Sequence, residues 1–569
     1  MFADVLRKIG GWVAPASHTV ARAAGRVWHL SAEGEALFGS AAPDLDSWLA
    51  SGLAVPVKSG PHRTVYRVAL PGGTVYVKHC RVSGPRAWAR ELLRPPKARL
   101  EFENAARLTA LGIGAAVPLA WGASASAWPG ESFLVTRDLA PSVPLTDYLE
   151  GPFGGLPPVT RGRVRRQLAR GLGLFLALLH DRGVAHPDPH PGNLVVEVPP
   201  SLVPHFALLD VHAVRFGAPL SWAESKSNLV LYNRWFSMRG TRADRARFLR
   251  AYRMARTAVN VPEGAAKEIE HQTGASNRRF WLARTARYAG THRSIKKVRG
   301  RRARGLAVRD LPPDFVRALL NDPDAVFARP GTTLLKDCET STVAEIEMPT
   351  PDGPRAVVLK RVPATLLGAA KNLFRSSAVR RSWLLGHGFL ARHLPTPRPL
   401  ALFHTYRFGG LPACGYLLTE KVPDALPLPQ AVAACADERT VRAWAERLAG
   451  VLRAMHDRGA SHRDLKGANV LMEGATRDAA SATPVLIDLV GARAGRGAVP
   501  FARAARDLAR LSASFLCSAR VRHSLRLRFL RAYLRTSVNR VDWKAWWKAV
   551  SEATAAKAAK NARAGRALG

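Results

Sequence analysis

The sequence predicts an α+β protein built from two tandem bilobal domains, each a small β-rich lobe followed by a larger helical lobe. Three observations lead there. The chain has 569 residues, more than one hydrophobic core supports; it repeats itself; and within each repeat the apolar pattern changes from strand-like to helix-like.

The repeat is read from six features in the same order with nearly constant spacing. Leu179-His180-Asp181-Arg182-Gly183 returns as Met455-His456-Asp457-Arg458-Gly459, and His186, Asp188 and Asn193 return as His462, Asp464 and Asn469. Leu208-Leu209-Asp210-Val211 matches Leu486-Ile487-Asp488-Leu489, and the segment Arg247 to Tyr252 reappears unchanged as Arg528 to Tyr533. Upstream, Thr74 to Lys78 matches Ala356 to Lys360. Such ordered recurrence implies a tandem duplication.

Within the first copy, Val65 to Leu70 and Thr74 to Lys78 read as strands joined at Pro71-Gly72-Gly73. A helix is expected over Ala98 to Leu111, ended by Gly112, and another strand over Ser132 to Thr136. From about Arg161 the spacing of Val164, Leu168, Leu172, Phe175, Leu176 and Leu179 is helical. Between the copies, Arg278 to Arg304 holds 11 Lys and Arg and no acid, interleaved with Phe280, Trp281 and Tyr288. The expected division is a helical extension over 1–50, a first domain over 51–310 that includes this basic segment, and a second over 311–569, with the boundary at Leu311-Pro312-Pro313.

Composition is that of a folded globular chain, 47% hydrophobic and 22% charged. A formal net charge of +42 attracts polyanions without choosing among nucleic acid, anionic membrane, nucleotide phosphates and phosphorylated glycolipids. The basic segment reads first as a solvated face, with an anionic lipid or phosphosugar as the alternative; nucleic acid ranks behind for want of a recognised binding module. Five scattered cysteines exclude a zinc ribbon and a disulfide framework and fit a reducing cytosol. The longest apolar run, Leu172 to Leu179, is too short to span a bilayer, and the N-terminus lacks the pattern of a signal peptide. Phe2, Val5, Leu6, Ile9 and Val13 fall at helical spacing beside Arg7 and Lys8, which reads first as a helix packed on the domain, because Gly10 and Gly11 interrupt the pattern, with a membrane-surface helix as the alternative.

The chemistry lies in an ordered set of charged residues. Phosphoryl transfer needs cations on the phosphates, a carboxylate to orient and deprotonate the attacking hydroxyl, and a lysine on the α/β-phosphates. The second copy offers a strand lysine, Lys360, then Ser461-His462-Arg463-Asp464-Leu465-Lys466-Gly467-Ala468-Asn469, then Asp488 at the end of an apolar strand. Lys466, between Asp464 and Asn469, can reach a transferring phosphate. The first copy keeps the frame with His186-Pro187-Asp188-Pro189-His190-Pro191-Gly192-Asn193 and Asp210, and puts His190 where Lys466 stands. His190 is either a phosphate contact or a turn residue.

These motifs resemble the protein-kinase-like superfamily, and more narrowly the lipopolysaccharide kinases that phosphorylate Kdo or heptose sugars. Leu209-Asp210-Val211-His212 is similar to that family's metal-binding segment. The catalytic loop from His186 to Asn193 also resembles ABC1-type atypical kinases, and that from Ser461 to Leu471 ordinary Ser/Thr protein kinases. The resemblance implies that Lys78 and Lys360 contact ATP phosphates, that Asp188 and Asp464 are catalytic bases, and that Asn193, Asp210, Asn469 and Asp488 hold Mg²⁺ or Mn²⁺. It assigns His186 and His462 an architectural role. It also implies a helix acid paired with the strand lysine. Glu101 and Glu103 lie about 200° apart on a helix, so only one faces Lys78, and Glu101 is favoured.

Two departures stand out. The corresponding second-copy helix, Val379 to His393, contains no acid and has Ser382-Trp383 where Glu101-Phe102 align. Neither copy carries a G-x-G-x-x-G loop; the nearest glycines are Gly60 and Gly331. The resulting expectation is an ATP:alcohol phosphotransferase acting on a lipopolysaccharide-core sugar, cytoplasmic and peripheral on the inner membrane face. The alternatives are a Ser/Thr protein kinase and a scaffold with one pseudokinase copy.

Overall fold

The computed structural model describes residues 19–565 apart from 24, 40, 61, 83, 127, 364–375, 408–410 and 536–541. The expected helix over Phe2 to Val13 lies outside the described residues. The chain divides into two compact units, Met1–Thr273 and Gly274–Gly569.

In the first unit, seven strands form one antiparallel sheet: β1 (Thr19–Ala23), β2 (Arg26–Leu30), β3 (Ala54–Ser59), β4 (Arg63–Leu70), β5 (Gly73–Cys80), β6 (Pro118–Ser124) and β7 (Ser132–Arg137). Their order across the sheet is β1-β2-β6-β7-β5-β4-β3. Trp28, Val68, Val75, Val77, Leu119, Phe133 and Val135 fill the core beneath it. The helix Lys97–Ala110 packs on this sheet through Ala98 and Phe102. The helical lobe gathers around Pro158–Asp181, whose Leu168, Leu172, Leu176 and Leu179 form one buried face with Leu229 and Tyr252.

The second unit repeats the plan with β8 (Ile295–Arg299), β9 (Ala303–Val308), β10 (Thr333–Cys338), β11 (Ser341–Met348), β12 (Arg355–Pro363), β13 (Pro399–Arg407) and β14 (Leu411–Glu420). Their order is β8-β9-β13-β14-β12-β11-β10. Its helical core joins Trp444, Leu448, Leu452 and Met455 to Leu508, Leu511 and Tyr533.

The equivalence of β1-β2 with β8-β9 corrects the expected domain limits. Residues 1–50 are not only helical, because two of their strands extend the first sheet. The boundary lies at Thr273/Gly274, within the helix Ala265–Arg287, and not near Leu311. The reason is hydrogen bonding: β9 pairs with β13 from Ala303↔Thr405 to Ala307↔Ala401, so the basic segment supplies strands of the second sheet. That segment is also not wholly a solvated face. Trp281 is buried, and Arg304 lies over the Tyr406 ring at 4.1 Å.

The repeated Gly183 and Gly459 end their helices with φ of 69° and 77°, the left-handed position that favours glycine and turns the chain into the His-x-Asp loop. Asp210 and Asp488 adopt φ of 53° and 57°, uncommon for residues with a Cβ.

Buried histidines give this fold a pH dependence. Burial holds His180 neutral, its pKa pushed down to about 4, and does the same to His404 (about 4) and His387 (about 3). A depressed folded pKa contributes stability that is present above the unfolded value near 6.5 and is lost as pH falls toward 4. Urea-unfolding midpoints should therefore fall steadily from pH 7 to pH 4.5, and His180→Gln should flatten that slope, its share being about 2–3 kcal/mol. A slope unchanged by the substitution would place the linkage elsewhere.

Candidate active site

Lys78 reaches the site because β5 alternates. Val75 and Val77 face the core, and Tyr76 and Lys78 take the other side. The Lys78 Nζ lies 2.5 Å from Glu101 Oε1 and 2.9 Å from Asp210 Oδ1. Burial opposes the ammonium, but Glu101 and Asp210 outweigh it and hold Lys78 above its ordinary pKa. Glu101 is buried, whereas Glu103 pairs with Arg99 at 2.7 Å, on the side away from the lysine. From the same helix, Asn104 Nδ2 donates to the Val211 carbonyl at 2.9 Å and ties the helix to the turn after Asp210.

Asp210 has a second cation that the sequence reading missed. Arg63, at the start of β4, brings Nη1 to 3.0 Å from Oδ1 and Nη2 to 3.4 Å from Oδ2. Burial would raise the carboxyl, yet Lys78 and Arg63 hold it far below the usual carboxylate range. The available signal was positional: Arg63 flanks the β3–β4 hairpin turn, where a glycine loop would have covered phosphate.

Asp188 and Asn193 stand on the loop that follows the long helix. Asn193 Nδ2 donates to the Asp188 backbone oxygen at 3.0 Å, and the Asp188 side chain is exposed. His190 Nδ1 accepts from the Gly192 amide at 3.0 Å. Of its two expected roles, the structure displays the turn-forming one.

The second unit brings together the corresponding residues with different partners. Lys360 Nζ lies 2.9 Å from Asp488 Oδ1, its ion-pair partner among the described residues. On the helix Ala378–Ala391, Ser382 and Trp383 are buried where the first unit has Glu101 and Phe102. Arg81 and Arg361 make equivalent 3.0 Å contacts to Thr64 and Thr342, which puts Ser341 in the place of Arg63. Asp488 is depressed: burial works against this, and Lys360, His462 and Lys466 outweigh it. Asn469 Nδ2 donates to the Asp464 backbone oxygen at 2.9 Å and to its Oδ2 at 3.3 Å. Asp464 and Lys466 are exposed. The β10–β11 turn carries Glu339 and Thr340, and Gly331 lies before β10.

Beneath each loop lies a buried histidine. His180 meets Tyr252 Oη at 2.7 Å and Asn228 Oδ1 at 3.2 Å, and Asn228 Nδ2 donates to the His186 carbonyl at 2.6 Å. His456 meets Tyr533 Oη at 2.7 Å and Asp507 Oδ2 at 3.4 Å. Asp507 is fully buried and accepts from the His462 and Arg463 amides at 3.0 and 3.1 Å. His462 Nε2 donates to the Ile487 carbonyl at 2.9 Å, beside Asp488, which is the architectural contact expected of it. Neither Asn228 nor Asp507 was read from the sequence, since each lies on a separate helix without a local motif.

The donors suit a hard divalent cation. Each asparagine uses its amide nitrogen on the loop backbone, which leaves the amide oxygen as a hard ligand for such a cation. Among the described residues no group of three or more His, Cys, Asp or Glu could hold a metal alone. Each site would thus supply Asn193 and Asp210, or Asn469 and Asp488, with phosphate and water completing the shell.

The family model described as lipopolysaccharide kinase (Kdo/WaaP) matches residues 75–252 and 371–547. No curated protein matches the chain. A solved structure of WaaP in complex with acyl carrier protein is similar over 43% of this chain and 97% of that one, at 21% identity and a TM-score of 0.32.

Proposed function

The chain belongs to the lipopolysaccharide kinase (Kdo/WaaP) family, and from that premise we propose that it transfers the γ-phosphoryl group of ATP to a sugar hydroxyl of an anionic glycolipid or phosphosugar. The observation that carries this reading is the Lys78–Glu101–Asp210 cluster, with Asp188 and Asn193 on the adjoining loop. Asp188 would accept the hydroxyl proton as the acceptor oxygen bonds to the γ-phosphorus and the bond to the ADP oxygen breaks. Lys78, fixed by Glu101, would hold the nucleotide phosphates. Arg63 would exchange the Asp210 carboxylate for phosphate oxygens, a bidentate match its guanidinium makes equally well. A bound Mg²⁺ or Mn²⁺ would neutralise phosphate charge.

A Ser/Thr protein acceptor is less favoured. Only 12 residues separate Asp488 from the helix Phe501–Ala513, which leaves little chain for docking a peptide. Peripheral contact with the inner face of the cytoplasmic membrane would bring a glycolipid acceptor to the enzyme, and the +42 charge favours it. The second unit invites a separate reading. With Ser382 in place of an acid, Lys360 lacks the partner that fixes Lys78, which favours a pseudokinase there.

Because oxygen ligands and phosphate cations are shared between protein and nucleotide, ATP should raise the melting temperature only with Mg²⁺ or Mn²⁺ present, and ³²P should enter purified lipopolysaccharide core in preference to casein. No metal-dependent shift would count against the kinase chemistry of these residues. Label entering casein and not glycolipid would replace the sugar acceptor with a protein one.

A further inference from the structure

The strand lobe of the first unit exposes an apolar face that its core does not use. The helix Pro85–Leu92 is amphipathic and places Trp88 and Leu92 one turn apart on the same side. Trp128, from the β6–β7 loop, stacks on Trp88 with ring centroids 5.9 Å apart at 20°. Leu93 extends the patch past the helix end. The exposures are 38% for Trp88, 46% for Leu92, 83% for Leu93 and 66% for Trp128. Two indoles and two adjacent leucines left in solvent exceed the scattered apolar residues normal on a surface.

Charge selects the occupant. Exposed Arg94 and Lys97 follow directly, and the whole chain carries +42. Indoles favour the headgroup level of a bilayer, and leucines beside them enter the acyl boundary. Arginine and lysine there are drawn to anionic headgroups. We propose that Trp88, Leu92, Leu93 and Trp128 form a docking surface for an anionic lipid bilayer. It stands apart from the phosphotransfer reading, since vesicle binding requires neither ATP nor turnover, so either can fail alone.

The test uses the full-length protein with vesicles of phosphatidylcholine, alone or with about 30% phosphatidylglycerol. Partition into the anionic vesicles should fall about tenfold in Trp88→Ser/Trp128→Ser and, independently, in Leu92→Ser/Leu93→Ser, with the metal-dependent ATP shift retained. Brominated lipid should quench the wild-type fluorescence, and Trp88→Phe/Trp128→Phe should remove most of that quenching while keeping binding. The proposal is overturned by unchanged partition and quenching in these variants, by equal binding to neutral vesicles, or by loss of binding in Arg299→Ala/Arg301→Ala but not in the tryptophan pair. It is equally overturned if the patch variants lose only a protein partner and still bind lipid.

Discussion

Asp188→Asn is expected to lower phosphotransfer about a thousandfold, and Asp464→Asn less than about threefold, when label transfer to glycolipid is followed under saturating ATP and Mg²⁺. The two loops have the same frame, so the asymmetry comes from what faces them. In the first unit, Glu101 and Asp210 hold the Lys78 ammonium from two sides inside the protein. In the second, Lys360 has Asp488 alone among the described residues and is more exposed. A phosphate-contacting lysine with one anchor samples more positions, and misplacement by about an ångström costs roughly a hundredfold in rate. Arg63 adds a second cation to the first site, whereas Ser341 adds none to the other. The opposite ranking would identify the second unit as the catalytic one and leave the first regulatory.

Much of this architecture was legible because duplication doubles every local signal. The lysine strands, the His-x-Asp loops and the carboxylates after apolar strands each follow from spacing within about ten residues, and recurrence separates them from chance. The helix phase that sets Glu101 apart from Glu103 was legible too, and Lys78 and Arg99 divide the two between them. What escaped depends on pairing between distant segments. The β1–β2 and β8–β9 hairpins share little sequence, so their equivalence emerges only from the sheet order, and the boundary near Leu311 followed from that omission. The Arg63–Asp210 pair joins residues 147 positions apart, and no periodicity announces such a contact. Asn228, part-buried, and Asp507, fully buried, sit on helices whose apolar pattern does not announce the bond each makes to the loop.

Asn228 and Asp507 can be exchanged between the copies. Asp507 accepts two backbone amides, from His462 and Arg463, and receives His456 as well. At the position of Arg463 the first copy has Pro187, which has no amide hydrogen to give, so a buried carboxylate there would face the His186 carbonyl with no donor from that residue. Asn228 resolves this by reversing the bond, its Nδ2 donating to His186 O at 2.6 Å. Asp507→Ala should accordingly leave buried donors unpaired and destabilise the Asp464 loop by about 3 kcal/mol, read as roughly hundredfold faster hydrogen exchange at the His462 and Arg463 amides. Asn228→Asp should destabilise the Asp188 loop by about 2 kcal/mol, because two acceptors then face each other in the interior, and less in acid, where the new carboxyl is protonated. Adding Pro187→Arg to Asn228→Asp supplies the missing amide and should restore most of the protection around Asp188. If the double variant exchanges as fast as Asn228→Asp alone, the polarity of this bond is not what matches each loop to its helix.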